Sequence, residues 1–127
     1  IPGLAEQIPS RLVLENDEYA YSPREILDVC GRAGVPMVFD AHHHVVHDRL
    51  DSYDHPSVAE MTVAAGNTWP DASWQLVHIS NGRNGFNDAD HADYIDRMPE
   101  AFRRVPWIEV EAKSKELAIA RLRRRWR

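Results

Sequence analysis

Short apolar runs alternate with amphipathic segments along the chain, and an ionisable residue stands at or beside the end of each run. The runs occupy residues 11–15, 37–40, 75–79 and 107–111. Short runs that are apolar at nearly every position are typical of parallel strands with both faces covered. The segments between them predict helices, at residues 23–32, 57–65, 99–104 and 115–126. We therefore expect a parallel α/β fold, and 127 residues are enough for one domain, 1–127, but not for two.

Capping and turn residues set the limits of these elements. Ser22 and Pro23 are suited to cap and begin the first helix, and Gly34 predicts a left-handed turn that ends it. A polar, histidine-rich loop is expected over residues 41–55. A second long loop is expected over residues 80–91, where glycine and asparagine favour irregular backbone. Loops of this kind carry function more often than architecture.

Charge is unevenly distributed along the chain. The formal net charge is -5, which disfavours nucleic acid binding if it is spread evenly, but residues 121–127 contain five arginines. This tail can contact phosphate groups. It can equally be a solvated helix end, where cations complement the helix dipole, and we favour this second interpretation.

Cysteine content and hydropathy bear on location. Cys30 is the only cysteine, so no internal disulfide is possible, and a reducing cytoplasm is the expected compartment. No apolar stretch approaches the length of a membrane span, and the amino end has no signal-peptide pattern. We expect a cytoplasmic protein without a membrane partner. The chain starts at Ile1 and soon enters its first strand, which suggests that an upstream segment is missing.

The polar residues at the strand ends are candidate metal ligands. A parallel sheet collects functional groups at the carboxyl ends of its strands, so side chains that end four strands would converge on one site. Histidines and carboxylates without thiolates suit Mn²⁺, Zn²⁺ or Fe²⁺. Closely spaced cations bridged by a carboxylate are a common device for phosphodiester hydrolysis. The candidates are Glu15, Asp40, His43, His78, His91 and Glu111.

Each candidate also has a simpler structural explanation. Glu15 is able to form a salt bridge, and His78 is able to be a buried histidine bonded to a carbonyl group. His91 lies in a charged loop, and Glu111 can begin the last helix. Consecutive histidines such as residues 42–44 also occur in ordinary surface loops. The convergence of several candidates on one end of the sheet favours the metal site over these separate explanations.

Five segments resemble, in order and approximate spacing, the carboxyl-terminal half of the UV damage endonucleases. They are residues 12–18 (LVLENDE), 34–44 (GVPMVFDAHHH), 77–80 (VHIS), 91–94 (HADY) and 110–116 (VEAKSKE). The resemblance implies a (βα)4 half of a TIM (β/α)8 barrel. It also implies a metal-dependent DNA repair endonuclease, commonly using manganese, that nicks damaged DNA on the 5′ side of ultraviolet photoproducts.

The resemblance also assigns roles to the candidate residues. Glu15 matches a bridging glutamate, and the ligands that complete the central metal correspond to His43, His78 and Glu111. Asp40 and His91 match ligands of a further metal and, with Glu15, are the expected catalytic residues. Leu76 stands where the family has a lysine, and leucine can neither bind metal nor accept a proton. The first four βα units, with their additional histidines and damage-probing residues, have no counterpart here.

These departures leave several functions open. The chain is expected to be a weakly active or inactive half-barrel. Alternatives are a noncatalytic metal-binding or dimerising remnant, and a fragment of a sugar isomerase-like TIM barrel. A half-barrel leaves its inner face open, so we expect a homodimer or association with the missing amino-terminal half. Candidates for that face are Leu12, Leu14, Val38, Leu76 and Val110.

Overall fold

A computed structural model describes residues 12–126 of the chain. It contains a four-stranded parallel sheet in the order β1-β2-β3-β4. The strands are β1 (Leu14–Glu15), β2 (Met37–Asp40), β3 (Leu76–Ile79) and β4 (Trp107–Val110). The predicted fold class, a (βα)4 half of a TIM barrel, is confirmed. The expected start of the first strand at Arg11 lies outside the described residues.

The helices lie between and after the strands. They are α1 (Pro23–Ala33), α2 (Ala41–His47), α3 (Pro56–Gly66) and α4 (Glu116–Arg125), with short 3₁₀ helices at Ala72–Trp74 and Glu100–Arg104. Within residues 12–126, none of the helices combines the length and the apolar character needed to cross a membrane.

The caps of α1 are those that the sequence predicts. The Ser22 hydroxyl accepts a hydrogen bond from the Glu25 backbone N–H, and the Glu25 carboxylate accepts one from the Ser22 N–H. This reciprocal pair satisfies two N–H groups that the first helical turn leaves unbonded. At the other end, Gly34 has φ 67°, a left-handed conformation that glycine adopts without steric cost.

Two elements differ from the sequence prediction. The histidine-rich segment after β2 begins with the helix α2, because Asp40 caps it: its Oδ1 accepts a hydrogen bond of 2.8 Å from the His43 N–H. The expected third helix is a single 3₁₀ segment at residues 100–104. It is too short to propagate as an α-helix, and Pro106 holds Val105 in an extended conformation.

The hydrophobic core lies between the sheet and the helices. Met37, Phe39, Val77 and Ile79 point into it from the two central strands, and the Phe39 ring meets Phe102 edge-on with ring centroids 6.3 Å apart. Alternate residues of these strands therefore point to the opposite face, the open face of the sheet.

Only some of the residues predicted for the open face lie on it. Val38 and Leu76 alternate with core residues and lie on it, but the prediction for Leu14 and Val110 is wrong because both pack against the helix-side core. A one-residue error in register exchanges the two faces of a strand. Leu12 precedes β1 and is half-buried. Exposed apolar residues at the edges are instead Val13 (43% exposed) and Trp107 (62% exposed).

Candidate metal centre

Four ionisable side chains meet at the carboxyl ends of the four strands. One ligand atom from each lies within 4.8 Å of the others, and the four residues, here called the ligand cluster, are Glu15, Asp40, His78 and Glu111. The sheet register brings them together: Asp40 pairs with His78, and the Glu111 N–H donates to the Ile79 carbonyl, which extends the ladder beyond β4. Residues that end adjacent parallel strands share one edge of the sheet.

His78 lies at the middle of the ligand cluster. Its Nδ1 is 3.1 Å from Glu15 Oε1 and 3.1 Å from Glu111 Oε1. Burial by itself would lower the pKa of His78, but hydrogen bonds to Glu111 and Glu15 outweigh burial and raise the pKa to about 10. The same interaction with His78 lowers the pKa of Glu111. In the absence of a cation, the imidazolium therefore neutralises part of the negative charge.

Asp40 is the most deeply buried residue of the ligand cluster, and its Oδ2 lies 3.5 Å from His43 Nδ1. The side chain is fully buried, and Oδ2 has no hydrogen-bond partner among residues 12–126. Burial, opposed by the neighbouring His43, raises the pKa of Asp40 to about 7. A buried carboxylate oxygen without a partner is costly unless something else binds it. A cation bound by the ligand cluster would remove that cost, so the residues fit a metal.

His43 lies beside the ligand cluster. Its Nδ1 is 2.8 Å from the Asn16 carbonyl oxygen, so this nitrogen acts as a donor, and its Nε2 is 3.4 Å from Glu18 Oε2. The structure thus includes Asp40 in the ligand cluster and places His43 beside it, with His43 Nδ1 3.5 Å from both Glu15 Oε1 and Asp40 Oδ2. The physical reason is position: Asp40 ends a strand, whereas His43 lies within the first turn of α2 and turns toward Asn16.

His91 lies at the edge of the ligand cluster. Its Nε2 is 3.7 Å from Glu111 Oε2. An antiparallel bridge between Gly82 and His91 holds the loop. Gly82 is necessary for that turn, because a Cβ atom there would overlap the carbonyl oxygen of Gly85.

His42 and His44, which flank His43 in the sequence, bond to other parts of the fold. The nitrogens of His42 lie 2.7 Å from the Tyr53 hydroxyl and 2.7 Å from the Asp88 carbonyl oxygen. His44 Nε2 lies 2.8 Å from Ser57 Oγ. Burial lowers the pKa of both histidines, so the neutral form is favoured. They hold α2 against the loop after β3 and against α3.

Two residues that the sequence analysis did not single out support the site. The amide of Asn16 bonds both backbone groups of Asp40, donating to its carbonyl oxygen (3.0 Å) and accepting from its N–H (2.9 Å). Glu109 Oε2 lies 2.7 Å from His78 Nε2. A signal for Glu109 was present: alternation through β4 places it on the same face as Glu111.

The arginine-rich end of α4 contacts Arg103 and Asp96. The helix begins near Glu111 and runs back, so that the ring of Trp126 lies 3.9 Å from the guanidinium of Arg103, which precedes β4. Arg121 and Arg125 bond Asp96. Two arginines of α4 are thus paired with a carboxylate of the loop between β3 and β4.

Comparison with known proteins identifies similar sequences and a similar fold. The model of the UV-endonuclease UvdE family matches residues 1–126. The UV DNA damage endonuclease of Nostoc sp. is 62% identical over 126 residues, which are 99% of this chain and 39% of that protein. The UV DNA damage endonuclease of Deinococcus radiodurans is 54% identical over 123 residues, 97% of this chain and 40% of that protein.

A solved structure of a UVDE protein has a similar fold. The crystal structure of SacUVDE matches with a TM-score of 0.69 and 29% sequence identity, covering 94% of this chain and 42% of that one. The chain thus spans about 40% of the length of the curated relatives that it matches. These matches favour the endonuclease family over a sugar isomerase-like barrel.

Proposed function

The chain belongs to the UV-endonuclease UvdE family, and we propose that it forms the carboxyl-terminal part of a metal-dependent site that nicks damaged DNA on the 5′ side of ultraviolet photoproducts. The observation that carries the proposal is the ligand cluster, within which the buried Oδ2 of Asp40 has no hydrogen-bond partner among residues 12–126. One buried thiol, Cys30, is consistent with work in the reducing cytoplasm.

A cation is needed before a phosphate can approach. The ligand cluster holds three carboxylates and one imidazole, and Glu18 and Glu109 add negative charge beside it. Like charges repel at these separations, so DNA cannot enter this site while the carboxylates lack a counter-charge. A bound divalent metal would neutralise phosphate oxygens and lower the pKa of water. Three oxygen donors and one nitrogen suit Mn²⁺, with Zn²⁺ or Fe²⁺ as alternatives.

The residues of the chain have distinct parts in this proposal. Glu15, at the edge strand, is the candidate bridging ligand, and Asp40 and Glu111 would hold the cation from the strands on either side of β3. His43, beside Glu15 and Asp40, is a further candidate ligand of the central metal, and His91, beside Glu111, is a candidate ligand of a second metal. Leu76, on the open face two residues before His78, supplies no ligand.

The site is proposed to need the rest of a barrel. The open face of the sheet carries half-buried Leu76 and exposed Trp107, and in a closed barrel such residues pack in the interior. The proposed partner is therefore an amino-terminal half like that of the relatives, with the whole chain 1–127 acting as one domain. A second copy covering the same face is the alternative, and it fits a noncatalytic, dimerising remnant.

Complementation tests the proposal. The purified chain is mixed with the amino-terminal 60% or so of the Nostoc enzyme, in Mn²⁺, with supercoiled plasmid that has or has not been irradiated. We expect nicking of irradiated plasmid by the mixture, little or none by either part alone, and loss of nicking with Asp40→Asn. The matched control is Asp28→Asn, an exposed aspartate on α1 that leaves the ligand cluster intact.

Three results would contradict the proposal or part of it. Nicking that survives Asp40→Asn would show that the ligand cluster is not the reactive site. A mixture that binds Mn²⁺ but cuts nothing would favour the noncatalytic remnant. Strong lesion-specific nicking by the chain alone would instead disprove the need for a partner.

A further inference from the structure

Glu109 occupies an unusual place beside the ligand cluster. It lies on β4 directly opposite His78 on β3, and both side chains project from the open face of the sheet. Its Oε2 approaches His78 Nε2 to 2.7 Å, the shortest of the carboxylate contacts to this ring. Glu109 is not part of the ligand cluster, because its carboxylate meets the opposite edge of the imidazole.

The two edges of the His78 ring therefore face different groups. Nδ1 faces two carboxylates of the ligand cluster, at 3.1 Å each, and Nε2 faces Glu109 alone. A neutral imidazole has one N–H donor and one lone pair, and the bond made by one nitrogen decides which nitrogen can bind a metal. Metal-binding histidines commonly donate their second N–H to a carboxylate, which fixes the tautomer and the ring orientation.

We propose that Glu109 is a positioning residue of the metal centre: its carboxylate accepts the Nε2–H of His78 and leaves the Nδ1 lone pair directed at the cation. This inference rests on the proposed function, because it requires the ligand cluster to bind a metal. Glu109 touches neither the cation nor the DNA and acts through the histidine. The side chain of His78 is 13% exposed and that of Glu109 is 56% exposed, so Glu109 can be replaced without opening the core.

Metal affinity is the first measurement. Mn²⁺ binding to the 127-residue chain is followed by titration calorimetry for the wild type, Glu109→Ala, Glu109→Gln and the control Glu60→Ala. Glu60 is an exposed glutamate of α3, with its side chain 62% exposed. We expect Glu109→Ala to weaken binding by about 10-fold or more, in the range observed when such supporting carboxylates are removed. Glu109→Gln should lose less, because the amide oxygen still accepts the Nε2–H, and Glu60→Ala should bind like the wild type.

A spectroscopic measurement separates positioning from a general loss of charge. In the Zn²⁺-loaded chain, ¹⁵N NMR of the His78 ring should show a protonated Nε2 and a metal-bound Nδ1. In Glu109→Ala the Nε2 proton should exchange faster with water, while circular dichroism should show an unchanged fold.

The outcomes distinguish this inference from the proposed function. If the wild type binds no metal, the metal centre itself is disproved, and the inference fails with it. If the wild type binds but Glu109→Ala has the same affinity, or if His78 binds Zn²⁺ through Nε2, the inference alone is overturned.

Discussion

Replacing Asp40 with asparagine should stabilise the metal-free chain and at the same time abolish metal binding. Burial raises the pKa of Asp40 from its ordinary value of 3.8 to about 7, so the folded state disfavours the charged form. One pKa unit corresponds to about 1.4 kcal/mol, so a shift of roughly three units costs up to about 4 kcal/mol when the carboxyl is ionised. Asparagine keeps an Oδ1 acceptor for the His43 N–H and carries no charge.

The pH dependence follows from the sign of this shift. Below about pH 4 the carboxyl is protonated in both folded and unfolded chains, so aspartate and asparagine should give similar stability. Between about pH 4 and 7 the folded chain binds more protons than the unfolded one, so the wild type loses stability as the pH rises. The advantage of Asp40→Asn should therefore grow over this interval and reach roughly 1–4 kcal/mol by pH 8.

Denaturant unfolding at pH 5 and pH 8, with and without Mn²⁺, measures both effects. At a free Mn²⁺ concentration of 100 times Kd, the wild type should gain about 2.7 kcal/mol, and Asp40→Asn should gain almost nothing. The reasoning is refuted if the metal-free variant is less stable than the wild type at pH 8. It is refuted equally if both proteins gain the same stability from Mn²⁺.

Three further predictions concern the frame of the site and the open face. Asn16→Ala removes the hydrogen-bond partners of the Asp40 backbone N–H and carbonyl, so denaturant unfolding should show a loss of about 2–3 kcal/mol in stability. An unchanged stability would contradict this role of Asn16. Gly82→Ala should disrupt the bridge to His91 and shift the His91 ring resonances in NMR, and an unaltered spectrum would show that the turn adapts. Light scattering should show a homodimer that Trp107→Glu dissociates and the exposed helix control Val63→Glu does not; a stable monomeric wild type would disprove the association.

Local signals explain which elements could be predicted from the sequence. The helix α1 has a capping box and a left-handed glycine, and α3 starts at a proline, so short-range chemistry marks their limits. The helix α2 has no periodic apolar face that would predict it, because four of its seven residues are histidines. Its formation depends on the Asp40 cap and on contacts of His42 and His44 with distant segments. These contacts are tertiary and cannot be read from the pattern of a single segment.

The same distinction applies to the site. Strand ends could be placed on one edge of a parallel sheet, and that rule brought Glu15, Asp40, His78 and Glu111 together in the prediction. Ring orientation could not be predicted in this way. His43 Nδ1 donates to the Asn16 carbonyl oxygen, a contact across 27 residues, and also lies 3.5 Å from Glu15 Oε1 and from Asp40 Oδ2. The prediction for Val110 was also wrong. Alternation along β4 separates its two faces but does not show which face meets the helices.

The edge strand shows why folding and metal binding should be coupled here. Among residues 12–126, the strand β1 has two residues and pairs with β2 only at Leu14 and Glu15, so few backbone hydrogen bonds hold this part of the edge. Asn16 adds two bonds to the end of β2, and Glu15 reaches across to His78 on the third strand. A cation in the ligand cluster would bind Glu15 together with groups from the other three strands. Binding would therefore fasten the least supported strand to the sheet, and the free energy of metal binding would become part of the stability of the half-barrel.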